Sequence, residues 1–232
     1  MTKELDDDPS VAPALVLPKD LPLGEAVYRA LRTAVEGGGF PPGTRMRENS
    51  LADMLGVSRT PIREALRRLL ADGMLTQTSS RGLVVTDLDR QQVLELFALR
   101  EVLEGTAARF AAHRAADSDI DLLHSIIERE KPFLAAGDGE SLMHLNMIFH
   151  KTIWEAARNR YLLASVKGIS DALSLLRGAT LDDPDRQRNS HAEHQQIVSA
   201  IEQRDAELAE GIAREHIREA RRVRLRMLFP AR

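Results

Sequence analysis

Two sets of side chains in this sequence have the types and spacing to do chemistry. Arg59, Arg63 and Arg67 recur at i, i+4 and i+8, a spacing that lines them along one stripe of a helix. Ser58 and Thr60 stand at the start of that stripe, and Ile62, Ala65, Leu66, Leu69 and Leu70 form an apolar face turned away from it. Such a helix is suited to the major groove of DNA. Hydroxyls and first-turn amides can bond phosphates, and the planar fork of arginine can bond guanine O6 and N7 together. Three arginines alone read equally well as a solvated helix face.

The second set is His150, His194 and His216. His150 follows Phe149 and precedes Ile153, His194 leads Ile197, Val198 and Ile201, and His216 lies between Ile212, Ala213 and Ala220. The helical period puts all three on interior faces. One such residue reads as a hydrogen-bonded core histidine. Three in different helices of a small bundle point to a divalent metal, on which buried neutral imidazoles can converge. Asn146, one turn before His150, can add an oxygen ligand, and the set suits Zn, Ni, Mn or Fe. His113, His124, His144 and His191 fit the interior stripes less well and are assigned to the surface.

The elements that must carry these residues are legible. Residues 1–20, with Pro9, Pro13 and Pro18 among acids, read as a flexible tail. Helical spacing of Val27, Ala30, Leu31, Ala34 and Val35 marks a first helix, ended by Gly37, Gly38 and Gly39. Leu51, Met54 and Leu55 mark a short second helix stopped by Gly56, after which Ser58 is placed as the N-cap of the arginine helix and Pro61 falls in its first turn. Asp72 and Gly73 close that helix. Met74 to Thr78 and Leu83 to Thr86 flank Ser79-Ser80-Arg81-Gly82 as a hairpin. Helix, helix-turn-helix and hairpin make a winged helix. Long amphipathic segments follow, with polar breaks near Asp117, Gly137 to Gly139, Asn159, Thr180 to Asp185, and Arg204-Asp205. They give six helices between about 90 and 229.

Composition agrees with a mainly α protein: Leu, Ala, Glu and Arg dominate and aromatics make up 4% of 232 residues. A net charge of -3 excludes indiscriminate coating of nucleic acid. The positive charge is local, since between Val57 and Thr86 lie Arg59, Arg63, Arg67, Arg68 and Arg81 against Glu64 and Asp72. The absence of cysteine rules out disulfides, thiolate metal sites and thiol nucleophiles. No signal-peptide pattern or membrane-spanning apolar run is present, so the expected location is cytoplasmic.

The segment LADMLGVSRTPIREALRRLLADGML, within Gly24 to Leu88, resembles the head of GntR-type transcriptional regulators. The segments LREVLEGTAARFAA, NMIFHKTI with AARNRYL, and AEHQQIVSAIEQRDAELAEGIAREHI resemble the FCD ligand-binding domain of the FadR-like branch. This resemblance implies a winged helix-turn-helix DNA-binding domain at 21–88 and an all-α effector-binding and dimerisation domain of six to seven helices at 92–232. It also implies that Arg59 and Arg63 read bases or adjacent phosphates, that Ser58, Thr60 and Arg67 hold the backbone, and that Arg81 and Gly82 at the wing tip enter the minor groove. Where such proteins often carry an arginine in the first turn of the second helix, this chain has Asn49, with Arg45 and Arg47 nearby. In such domains a carboxylate and three histidines often hold a metal beside the effector pocket. The matching positions are Asn146, His150, His194 and His216, with asparagine where an aspartate is common.

Arg100 shares a helix face with Leu96, Leu103 and Ala107, which calls for a partner: a salt bridge to Glu104 at i+4 or, as the resemblance implies, the carboxylate of an organic-acid effector. Arg177 or Thr106 would assist. The implied protein is a repressor that binds a palindromic operator as a homodimer. Operator symmetry and the apolar residues on more than one face of helix 92–112 point to the dimer. The residues leave two rivals open: a metal-dependent enzyme with a DNA-binding head, and a sensor whose signal is the metal itself.

Overall fold

A computed structural model describes residues 15–176 and 180–230. The expected tail therefore lies outside the described residues as far as residue 14, and so does Arg177. The chain divides into two compact units, one formed by residues up to Leu88 with a segment beginning at Ser170, the other containing Asp89–Ile169. Mainly α architecture with one small hairpin is what the residue pattern leads one to expect.

The first unit contains α1 (Leu23–Glu36), α2 (Glu48–Leu55), α3 (Arg59–Ala71), β1 (Leu75–Thr78) and β2 (Gly82–Val85). Leu31, Ile62, Leu66, Leu69, Met74 and Leu75 are fully buried together, and each such side chain contributes roughly 1.5–3 kcal/mol by leaving water. Gly56 ends α2 at φ 64°, a left-handed geometry that turns the chain tightly into α3 and suits a residue without Cβ. The hairpin pairs Leu75 with Val85 through Thr78 with Gly82.

Four details differ from the sequence reading. Leu15 and Leu17 pack against this core, so the head begins before residue 21: apolar side chains next to an apolar surface bury even among prolines. Residues 43–46 run beside β2, with Val85 N–H donating to Thr44 O at 2.9 Å and Met46 N–H to Leu83 O at 2.9 Å, which gives the wing a third rung. Met54 and Leu70, assigned to apolar faces, are exposed because each lies at the rim of its stripe. Ser58 occupies the N-cap position, but its side chain makes no cap hydrogen bond.

The second unit contains α4 (Arg90–Arg114), α5 (Asp117–Ala136), α6 (Gly139–Ala156), most of α7 (Arg160–Leu173), a 3-10 turn (Thr180–Asp182), α8 (Pro184–Glu202) and α9 (Ala206–Leu228). The breaks fall at the polar positions, since aspartates make good helix starts. Asp89, Asp138, Asp183 and Asp205 each accept a backbone N–H at the beginning of α4, α6, α8 and α9. Ala107, Ala108, Ala111 and Ala112 of α4 are fully buried, and their small side chains let neighbouring helices approach closely. Leu123, Ile126, Leu145, Phe149, Ile197 and Ile201 fill the rest of the core. Two arginines satisfy carbonyls left open at helix ends: Arg204 donates to Ala115 O at 2.8 Å and Arg114 to Ala157 O at 3.0 Å.

Candidate functional site

In the head, burial of Ile62, Leu66 and Leu69 fixes the rotation of α3 and turns Arg59, Arg63 and Arg67 to solvent. Ser58, Thr60, Arg45, Arg47, Asn49 and Arg81 are exposed as well, with Gly82 partly so. The Ser58 hydroxyl caps nothing and is exposed. Arg68 belongs elsewhere: it donates to Glu25 at 2.8 Å and lies 3.8 Å over the Tyr28 ring, which makes it part of the packing between α1 and α3.

Sequence reasoning missed Glu48. Arg63 donates to its carboxylate through Nε at 3.0 Å and Nη2 at 2.9 Å, and Arg59 adds Nη2 at 3.2 Å. These two arginines hold the Glu48 carboxyl at about 2, Arg63 having the larger effect. Partners 11 and 15 residues apart follow no local period, so only the fold discloses them.

In the helical unit the structure brings His150 from α6, His194 from α8 and His216 from α9 into one buried cluster, with one ligand atom from each within 4.8 Å of the others. The Nε2 atoms of His150 and His216 are 3.2 Å apart. Behind the rings stand three carboxylates: His150 Nδ1 is 3.1 Å from Glu104, His194 Nδ1 3.1 Å from Glu130, and His216 Nδ1 2.6 Å from Glu193. An ionised carboxylate can only accept, so an imidazole Nδ1 that bonds one carries a proton and, in a neutral ring, leaves the Nε2 lone pair to face a ligand. At His216 the 2.6 Å contact to Glu193 competes with Arg186 Nη2, a donor 3.1 Å from the same Nδ1. Two Nε2 atoms 3.2 Å apart either share a proton in a hydrogen bond or, with both rings neutral and protonated at Nδ1, hold a cation between them. Tetrahedral Zn–N bonds of about 2.0–2.1 Å place neighbouring donors about 3.3 Å apart, and a carboxylate behind each ligating imidazole is the usual supporting arrangement. The donor set therefore fits a divalent metal. Asn146 lies half-buried one turn before His150, and its side chain makes no hydrogen bond among the described residues.

Each carboxylate has further partners. Glu104 also accepts from Trp154 Nε1 at 2.7 Å and Arg100 Nε at 3.1 Å. Arg186 donates to Glu193 at 2.7 Å, and its Nη2 lies 3.1 Å from His216 Nδ1 and 3.4 Å from the His216 carbonyl. His191, assigned to the surface, is instead mostly buried with Nδ1 2.7 Å from Glu130, because the buried carboxylate draws a second imidazole inward. Thr106, expected to assist Arg100, spends its hydroxyl on the Val102 carbonyl of its own helix at 2.8 Å. Helix geometry favours that bond to the carbonyl four residues back for a threonine in mid-helix.

Burial holds the His194 imidazole down at about 4, against the raising effect of Glu130. Burial, the neighbouring imidazoles and Arg186 drive His216 well below its usual range. For Glu104, burial works to raise the carboxyl, but His150, Arg100 and Trp154 outweigh it and hold it at about 2. Glu130 is lowered in the same way by His194 and His191, whereas burial raises Glu193 despite Arg186.

An unfolded chain takes up its histidine protons near 6.5, where the folded chain still resists them, so folding stability rises with pH across this interval. The metal-free protein should lose stability as pH falls from 6.5 toward about 4. Glu193, raised above 4.5, offsets part of the histidine loss as pH falls toward 4.5, and below 4.5 Glu104 and Glu130 add to the loss. Thermal melts of chelator-treated protein across that window test this, and a flat melting temperature contradicts it.

Comparison with known proteins agrees with both halves. Residues 23–85 match the family described as "Bacterial regulatory proteins, gntR family", and residues 95–219 match the FCD domain. The Nta operon transcriptional regulator of Aminobacter aminovorans is 34% identical over 77% of this chain and 83% of its own length. The transcriptional repressor RspR of Escherichia coli is 23% identical over 85% and 87%. In fold, the chain is similar to E. coli McbR/YncC, with a TM-score of 0.74 at 21% identity, covering 90% of this chain and 99% of that one. Among the described residues no helix is long and apolar enough to cross a membrane. The metal-dependent enzyme reading falls, since the matched families and named relatives are regulators. A winged head with an exposed arginine stripe, joined in sequence to a helical unit matching FCD, makes this chain a DNA-binding transcriptional regulator of the GntR family, carrying an FCD domain.

Proposed function

We propose that this regulator is a cytoplasmic repressor, binding a palindromic operator as a homodimer and releasing it when an organic acid enters the FCD domain beside a bound metal. The observation that carries this reading is one carboxylate, Glu104, shared by His150 and Arg100. His150, His194 and His216, with Asn146, would hold the metal as Zn, Ni, Mn or Fe, which when bound supplies a Lewis-acidic seat for a carboxylate oxygen. Arg100 would exchange its bond to Glu104 for the effector's carboxylate, and so ties effector and metal to one group.

At the operator, Arg59 and Arg63 would meet bases or adjacent phosphates. Ser58, Thr60 and Arg67 would hold the backbone with Arg45, Arg47 and Asn49 beside them, and Arg81 and Gly82 would enter the minor groove. Dimerisation is supported by α4, which has apolar residues all round and leaves Leu99 and Val102 about half exposed, and by the two-fold symmetry that operators share with their proteins.

The test is operator affinity of zinc-loaded protein against a panel of mono-, di- and tricarboxylates. At least one acid should weaken binding by about 5- to 150-fold, the usual range of coupling between sites, and the effect should vanish in Arg100→Ala. Affinity that followed zinc occupancy and ignored every acid would instead identify a metal sensor.

A further inference from the structure

We propose that Glu48 is a specificity-determining positioning residue, which grips the side edge of Arg63, aims its remaining edge at DNA and suppresses binding to generic phosphate. The inference rests on the reading that α3 docks on DNA, and it concerns a residue to which that reading gives no role.

The argument begins with the donors. A guanidinium has five N–H groups, and Glu48 takes two of those on Arg63, at Nε and Nη2. Both lie on the side edge. The end-on edge, formed by Nη1 and the second hydrogen of Nη2, stays free, and it is a fork of the kind that spans O6 and N7 of guanine. An exposed arginine on a helix ordinarily samples many rotamers, and a bidentate carboxylate removes most of that freedom before DNA arrives. Glu48 starts α2 and Arg63 sits in the second turn of α3, so the grip spans the helix-turn-helix and fixes the fork relative to both helices.

The second consequence concerns charge. Glu48 also accepts from Arg59, so one anion serves two cations on the face meant for DNA. Non-specific affinity is governed by the number of phosphates that free cations neutralise. An internal anion lowers that number without obstructing the end-on edge. Arg67 has no ion-pair partner among the described residues, which leaves it as the unrestrained phosphate contact of the stripe.

The experiment uses the full-length protein and two duplexes, one enriched from a randomised pool by the wild type and one scrambled. Glu48→Gln keeps the size and removes the charge. It should tighten binding to the scrambled duplex several-fold, steepen its dependence of log K on log salt by about 1–2, and reduce the ratio of specific to non-specific affinity by about tenfold. Glu48→Asp keeps the charge and withdraws the carboxylate. It should leave scrambled-duplex binding near wild type while weakening the enriched duplex. Thermal melts separate a folding defect, because a glutamate that serves only the start of α2 would lower the melting temperature and leave ratio and slope unchanged in both variants. That outcome overturns the proposal. If the wild type enriches no sequence at all, the docking reading itself fails and the proposal falls with it. If it enriches one and Glu48→Gln keeps the wild-type ratio, only the proposal fails.

Discussion

Arg63→Ala should abolish sequence-selective DNA binding and leave the fold intact. The side chain is 48% exposed and contributes nothing to the core of Ile62, Leu66 and Leu69 behind it, so α3 keeps its place without it. A bidentate arginine–guanine contact is worth about 1–3 kcal/mol of discrimination. Used once in each half of a palindrome, it amounts to about 2–6 kcal/mol, or roughly a 30- to 10⁴-fold loss of operator affinity. The loss should lie toward the upper end, because removing Arg63 also leaves Glu48 with Arg59 as its remaining partner and brings an underneutralised carboxylate close to phosphate. Anisotropy titration on an enriched duplex, with a thermal melt as control, measures both halves of the statement. Unchanged affinity would falsify the assignment of α3 as the recognition helix.

His216→Ala and His194→Ala should each strip the metal from the helical unit. Replacing a supporting carboxylate behind a ligand typically lowers metal affinity by 10- to 100-fold, so loss of a ligand itself should exceed about 100-fold. At His216 the effect is compounded, because its Nε2 faces that of His150 at 3.2 Å and the pair would supply two adjacent ligands to the metal. The fold should survive better than the metal site, since Glu193 keeps its pair with Arg186 and Glu130 keeps His191. Elemental analysis of purified variants is the direct readout. Full metal retention in both would return these imidazoles to the role of hydrogen-bonded core residues.

The contrast between what the residues disclosed and what they hid follows from the range of the forces involved. The stripe of Arg59, Arg63 and Arg67, the polar breaks at Gly137 to Gly139 and Arg204-Asp205, and the interior placement of His150, His194 and His216 are set within one or two helical turns. A period of 3.6 therefore discloses them. The partners of those residues are set across the fold. Glu130 meets His194 at a separation of 64 residues and Glu193 meets His216 at 23, and each glutamate looks in sequence like any charged position on a helix. His191 was misplaced for the same reason: its own stripe is polar, and a carboxylate from another helix draws it inward. Arg100 was identified as needing a partner and finds one in Glu104 at i+4, the alternative that lay within local reach.

Glu104 has one more partner, and it gives the molecule an optical property. Trp154, the only tryptophan in the chain, donates its indole N–H to the carboxylate that also meets His150 and Arg100, with its ring 6.3 Å from that of His150. Indole emission depends on the hydrogen bonding and polarity around the ring, and imidazoles and metal ions nearby can quench it. A change in charge at Glu104 thus falls on the one fluorophore of its kind, unmixed with signal from the head. The regulator carries its own dye, placed beside His150 and Arg100.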